Sequence, residues 1–201
     1  ALSEADLEDD LDRIRQFYRD RGFYHTSVTM ETEKTGEEAA AIAGEHPAPL
    51  PVLRVAFSVD EGPPVLVSEV QLEQPRGGIS GEELLERISL KKGAVFSTDD
   101  YRSSKRTIER LYGNRGFPFA EVDGQVQVDV RRNLARARFV IEPNGAYRFG
   151  EVRVDQKEEL VKEEIILRAL QFSPGQEYSD AAVEQSQRNL VNLDVFRSAL
   201  I

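Results

Sequence analysis

The chain repeats itself, and the repeat constrains its fold more than any other feature. Ile14-Arg-Gln-Phe-Tyr-Arg-Asp-Arg-Gly-Phe-Tyr-His-Thr-Ser-Val28 returns 94 residues later as Ile108-Glu-Arg-Leu-Tyr-Gly-Asn-Arg-Gly-Phe-Pro-Phe-Ala-Glu-Val122, with six of fifteen positions identical. Ordinary composition would give about one identity. A second match runs at an offset of 82: Phe57-Ser-Val59 with Phe139-Val-Ile141, Glu69-Val70-Gln-Leu72 with Glu151-Val152-Arg-Val154, and Gly93, Phe96 and Ser97 with Gly175, Tyr178 and Ser179. The offsets differ by twelve, so the first copy carries an insertion, and Glu33 to Pro51, with its Ala, Gly and Pro clusters, reads as an inserted loop.

The middle copy defines the unit. Val65 to Glu73 alternates apolar and polar after the breaker Gly62-Pro63-Pro64, as a half-buried strand does. Ser80 stands three before Glu83, a capping box, and Leu84, Leu85 and Ile88 recur at helical spacing, predicting a helix that runs on toward Gly93. Ser97 and Asp100 repeat the cap signal ahead of Tyr101, Ile108, Leu111 and Tyr112, a second helix that stops at Gly113 or Gly116. Phe119 to Val130 and Leu134 to Ile141 read as an antiparallel hairpin across Arg131-Arg132-Asn133; Ala135, Ala137, Phe139 and Ile141 form its inner face. The unit is strand, helix, helix, strand, strand.

The third copy supplies a strand over Tyr147 to Asp155, helices over Glu159 to Leu170 and Asp180 to Leu193, and then Phe196. The first begins just before its second helix, marked by Leu7, Leu11, Ile14 and Tyr18. The expected division is therefore residues 1–62, the later part of one unit (helix, strand, long loop, strand); 63–144, a complete unit; and 145–201, the earlier part of another. The fold class is α+β, in tandem units of strand, helix, helix, strand, strand.

Composition narrows the chemistry. Twenty-six Lys and Arg against 36 Asp and Glu leave a net charge of -10, which repels phosphate backbones, so nucleic acid is not an expected partner. There is no Cys, hence no thiolate nucleophile and no Cys-ligated metal; His25 and His46 alone are too few for a His-rich site. The longest aliphatic run, Ala39 to Ala43, is far short of the roughly 20 residues of a spanning helix. Glu82-Glu83 and Glu163-Glu164 are nominal catalytic pairs, but neighbouring helical residues point in different directions. No catalytic residue, metal site or cofactor site is expected, and the chain is not read as an enzyme.

A tandem strand-helix-helix-strand-strand unit of this kind resembles the polypeptide-transport-associated (POTRA) domain. The residues that carry the resemblance are Tyr18-Arg-Asp-Arg-Gly22-Phe23, Tyr112-Gly-Asn-Arg-Gly116-Phe117, Asn189 through Phe196, and the turns Val59-Asp-Glu-Gly-Pro63 and Ile141-Glu-Pro-Asn-Gly145. Asp194-Val195 depart from the Arg-Gly of the other copies. The resemblance implies the periplasmic side of the bacterial outer membrane, in the BamA and TamA group of assembly and secretion barrels. It implies as partners unfolded outer-membrane polypeptides, assembly lipoproteins or periplasmic chaperones, and a C-terminal β-barrel outside this segment. Clients would be captured by β-augmentation, in which an extended peptide adds as a further strand.

In this family's fold the second strand of the unit is an edge, which maps here to Phe119, Ala120, Glu121, Val122, Gly124, Gln125, Val126 and Val128. Gly124 marks a bulge or a close approach. Two readings stand beside capture: a rigid periplasmic spacer arm, and the POTRA arm of a two-partner secretion transporter. Phe23 and Phe117 are expected to close the core over a helix end, and Arg21 and Arg115 to answer helix dipoles.

Overall fold

The computed structural model describes residues 4–38, 51–73, 79–156 and 161–193. Helix α1 (Glu4–Arg19) leads into the antiparallel pair β1 (Ser27–Glu38) and β2 (Pro51–Asp60). Then come β3 (Leu66–Glu73), α2 (Gly81–Arg87), α3 (Thr98–Gly113), β4 (Glu121–Asp129) and β5 (Leu134–Glu142), and finally α4 (Glu163–Ala169) and α5 (Asp180–Val191).

The middle stretch is the predicted unit. Its sheet has the order β3-β5-β4, with β3 parallel and β4 antiparallel to β5. The alternation read from the sequence holds: Ala135, Ala137, Phe139 and Ile141 are buried while Arg136 and Arg138 face solvent. Against that inner face pack Leu84 from α2, Ile88 just after it, and Ile108 and Tyr112 from α3, all of them buried. Burying such side chains contributes about 1.5–3 kcal/mol each, and this is what holds the two helices on a three-stranded sheet.

The caps fall where Ser was found. Ser80 Oγ accepts the Glu83 amide at 3.1 Å, Ser97 Oγ that of Asp100 at 3.3 Å, and Ser179 Oγ that of Ala182 at 3.4 Å. Helix α2 is shorter than expected: it ends at Arg87, because Ile88 turns extended and starts the connection to α3. A device the sequence reading missed holds that connection. Ser104, fully buried on α3, donates to the Asp100 carbonyl at 2.7 Å and accepts the Leu90 amide at 2.9 Å. Ser186 on α5 does the same with Ala182 and Gln171 at 2.6 and 2.7 Å.

Helices α1 and α3 end alike. Gly22 and Gly116 take φ of +90° and +86°, and the amides of Phe23 and Phe117 bond back to the carbonyls of Tyr18 and Tyr112 at 3.0 and 3.1 Å. Each Phe ring meets its Tyr edge-on, at 6.2 and 5.7 Å, closing the helix end as expected. Arg21 also answers the helix end, donating to the Phe17 carbonyl at 3.0 Å. Arg115 does not: it reaches Glu83 on α2 at 2.6 Å, an ion pair between the two helices.

Three further expectations change. Glu33 to Glu38 belong to β1 and Pro51 to β2, so part of the insertion lengthens a hairpin; residues 39–50, with His46, lie outside the described residues. Residues 147–155 form no strand, only an isolated bridge between Arg148 and Glu177. In the middle unit the matching strand β3 is laddered by β5, and among the described residues 147–155 have no counterpart of β5. Helix α4 begins at Glu163, with 157–160 outside the described residues, and α5 ends at Val191; Asp194, Val195 and Phe196 also lie outside them.

Candidate functional site, an open sheet edge

The two outer strands of the β3-β5-β4 sheet are edges of different kinds. The first residues of β3 are covered: the Val67 amide donates to the Ala94 carbonyl at 2.9 Å, the Gly93 amide to the Val67 carbonyl at 2.7 Å, and Leu66 bridges Val95. The register of β3 also slips between Val67 and Glu69, where the Ser68 hydroxyl donates to the Ala135 carbonyl at 2.9 Å. A covered, bulged edge is a poor template for another strand. Strand β4 runs nine residues in unbroken register against β5, from Glu121 opposite Glu142 to Asp129 opposite Leu134. Alternate residues of such a strand turn their amides and carbonyls away from the sheet, the condition for strand addition.

Both flanks of β4 are held by distant parts of the chain. Asn144, itself at φ +53°, donates from Nδ2 to the Phe119 carbonyl at 3.0 Å. His25 Nε2 lies 2.9 Å from the Val130 carbonyl, to which it donates. His25 thus ties the first segment to the middle hairpin, and its ring nitrogen is engaged with backbone.

Of the residues expected at the edge, Glu121, Val122, Gly124, Gln125, Val126 and Val128 lie in β4, while Phe119 and Ala120 precede it. Phe119 is 60% exposed, and its ring meets Tyr147 edge-on at 5.1 Å. Val122 is buried beneath the helices; Val126 and Val128 are half-buried and pack against the core. Gly124 makes no bulge. It is the close approach that was expected, because a Cβ there would run into the Tyr101 hydroxyl. Tyr101, on α3, stacks on Phe139 at 5.3 Å and 19°. Burial, reinforced by the Asp123 carboxylate, raises its pKa.

The solvent face of the sheet is laid out in rows of charge. On β3, Glu73 binds Arg138 at 2.7 Å and Glu69 lies 4.0 Å from Arg136. The hydrogen bond from Arg138 lowers the Glu73 pKa and raises that of Arg138 in return. The cations of β5 are therefore committed to β3. On β4, Asp129 is met by Arg132, but among the described residues no cation pairs with Glu121 or Asp123.

At both ends the middle unit is joined to its neighbours by the same bonds. The Val65 amide donates to the Gly22 carbonyl at 2.8 Å and the Tyr147 amide to that of Gly116 at 2.7 Å. Phe96 then donates to Val65 at 2.8 Å, as Tyr178 does to Tyr147 at 3.1 Å. The C-terminal end of one long helix meets the N-terminal end of the next: Thr98 donates to the Asp20 carbonyl at 2.8 Å, and Ala181 to Asn114 Oδ1 at 2.7 Å. Among the described residues no three His, Cys, Asp or Glu side chains cluster as a metal site, and no helix is long and apolar enough to cross a membrane.

Comparison with known proteins agrees with this architecture. Residues 65–144 match the family model POTRA, described as a surface antigen variable number repeat. The chain is 22% identical over 199 residues to outer membrane protein assembly factor BamA of Neorickettsia risticii, covering 99% of this chain and 25% of that protein. It is 22% identical over 163 residues to a putative outer membrane protein assembly factor of Treponema pallidum, covering 76% of this chain and 18% of that one. The chain therefore spans about a quarter or less of the length of these curated relatives. Among solved structures, POTRA3-5 of Haemophilus influenzae BamA superposes with a TM-score of 0.60 at 18% identity, over 98% of this chain and 73% of that one. That likeness is one of fold. Residues 65–144 thus match a POTRA domain, with its end-to-end junction repeated on both sides, and the chain is similar over nearly its whole length to the assembly factor BamA.

Proposed function

We propose that this chain is part of the periplasmic arm of an outer-membrane protein assembly factor, and that β4 captures extended polypeptide segments as an added strand. The observation that carries the reading is the asymmetry of the two edges: β3 is bulged and partly covered, whereas β4 is regular, nine residues long and open along its side. Main-chain bonding is indifferent to side-chain identity, so one such edge serves many clients. Outer-membrane polypeptides held unfolded before insertion, and lipoprotein or chaperone partners that hand them on, fit this need; the step involves no covalent chemistry. The units are taken to divide at 62/63 and 144/145, with further units and a barrel completing the protein.

The test is backbone NMR of the chain titrated with an amphipathic peptide taken from a barrel strand. Strand addition predicts shifts concentrated on Glu121 to Asp129 and new protection from exchange at alternate amides there. Shifts confined to other elements, or none at millimolar peptide, overturn it.

A second reading, the rigid spacer, is favoured by the two matching junctions. A spacer predicts one rigid small-angle scattering curve, unchanged by salt; a broad ensemble of shapes rules it out.

A further inference from the structure

The charge rows suggest what kind of strand β4 takes. The inference rests on reading β4 as the capture edge and adds the chemistry of the occupant. On the solvent face β3 carries Glu69 and Glu73, β5 Arg136 and Arg138, and β4 Glu121, Asp123 and Asp129, with the neutral Gln125 and Gln127 of β4 opposite the two arginines. Each β5 cation is engaged on its β3 side. At the first end of β4 the register sets Glu121 directly opposite Glu142, with Asp123 two residues along on the same face. Like charges facing each other across strands are unfavourable. These three carboxylates have no Lys or Arg paired with them among the described residues. On the opposite face of β4 the same edge offers half-buried Val126 and Val128.

We infer that the strand added to β4 is a basic amphipathic one: Lys or Arg at alternating positions on its solvent face, beside Glu121 and Asp123, and apolar residues on its helix-facing side, beside Val126 and Val128. A cation there supplies the partner that Glu121 and Asp123 lack and relieves the facing pair Glu121 and Glu142. The chain's net charge of -10 steers such a peptide inward from a distance, while the row on β4 fixes where it settles.

The experiment compares two strand-length peptides, one alternating Val with Lys and one alternating Val with Glu, against the whole chain at low and high salt. Dissociation constants and β4 amide protection are both read. The inference predicts about tenfold tighter binding of the basic peptide at low salt, since two exposed cross-strand ion pairs are worth that much together. In the double variant Glu121→Gln/Asp123→Asn the preference falls close to parity. In the control Glu8→Gln/Asp9→Asn, which changes net charge equally but lies on exposed positions of α1, it persists. A preference that survives Glu121→Gln/Asp123→Asn unchanged overturns the inference, as does equal binding of both peptides with β4 protected; the latter leaves strand addition standing. If neither peptide protects β4, strand addition and this inference fall together.

Discussion

Asn114 Oδ1 accepts the backbone amide of Ala181 at 2.7 Å, so the residue that ends α3 caps α5 in the next unit. It also receives the Ser179 hydroxyl at 3.3 Å. One helix end thus supplies a partner to the amides that the next helix start leaves open. Asn114→Ala removes that acceptor while leaving the cap from Ser179 in place. The expected cost is about 1 kcal/mol, the usual worth of a capping side chain. Hydrogen exchange checks it: amides in the first turn of α5 exchange faster, while those of α2 keep their wild-type protection.

Gly22 and Gly93 share a left-handed backbone, at φ +90° and +85°, but not their surroundings. A Cβ on Gly93 meets nothing within 4 Å, whereas one on Gly22 runs into the Phe96 carbonyl and touches Val95 at 3.0 Å. Gly93→Ala therefore pays only for the backbone conformation, about 1 kcal/mol. Gly22→Ala pays that and also pushes the first junction apart, for a total of about 3 kcal/mol. Urea denaturation of the two variants side by side reads the difference, and equal midpoints would mean that the junction gives way without cost.

Phe139 and Phe57 occupy the same place in two copies of the unit, yet one is fully buried and the other 38% exposed. Phe139 lies beneath both helices and under Tyr101, so Phe139→Ala opens a cavity and costs about 3–5 kcal/mol. In the first segment β2 pairs only with β1 among the described residues, and one side of Phe57 is open. Phe57→Ala is expected to cost less than about 2 kcal/mol in this chain. Thermal denaturation of both variants measures the gap.

These contrasts explain what was legible in the sequence. Wherever local chemistry decides the outcome, the residues announce it: the serines ahead of α2, α3 and α5, the positive-φ glycines behind α1 and α3, the alternation from Ala135 to Ile141. The repeat then gives the order of elements in the middle stretch without any structure. Pairing between distant segments is not written in the same way. Residues 147–155 carry the pattern of a strand, but a ladder needs a partner that local sequence does not name. Glu33 to Glu38 have loop-like composition and become strand because β2 lies beside them. Gly124 was recognisable as a close approach, although nothing local identified Tyr101, on a different element, as the group approaching. Among the described residues the loop at 93–95 covers the start of β3 and nothing bonds to the outer side of β4, a difference no periodicity reveals.

Tyr178 links the second junction to alkaline pH. Its backbone takes part in both junction bonds, accepting the Gly116 amide and donating to Tyr147, and its phenol donates to Asp180 Oδ1 at 3.0 Å. Burial, then that hydrogen bond and the negative charge of Asp180, push its pKa up from 10.0 to about 12. Between those values the unfolded chain releases this proton and the folded chain keeps it, so stability is whole below pH 10 and drains away as pH rises toward 12. Tyr24, Tyr101 and Tyr112 are shifted upward as well, chiefly by burial, and add to the slope. Tyr178→Phe keeps the ring beside Phe149, 5.1 Å away, but has no proton to release. Denaturation midpoints followed from neutral to alkaline pH should then fall less steeply in Tyr178→Phe than in wild type, and ultraviolet titration should lose its highest phenolate step. Identical slopes would mean that the Asp180 bond opens before the phenol ionises, and that the second junction does not depend on it.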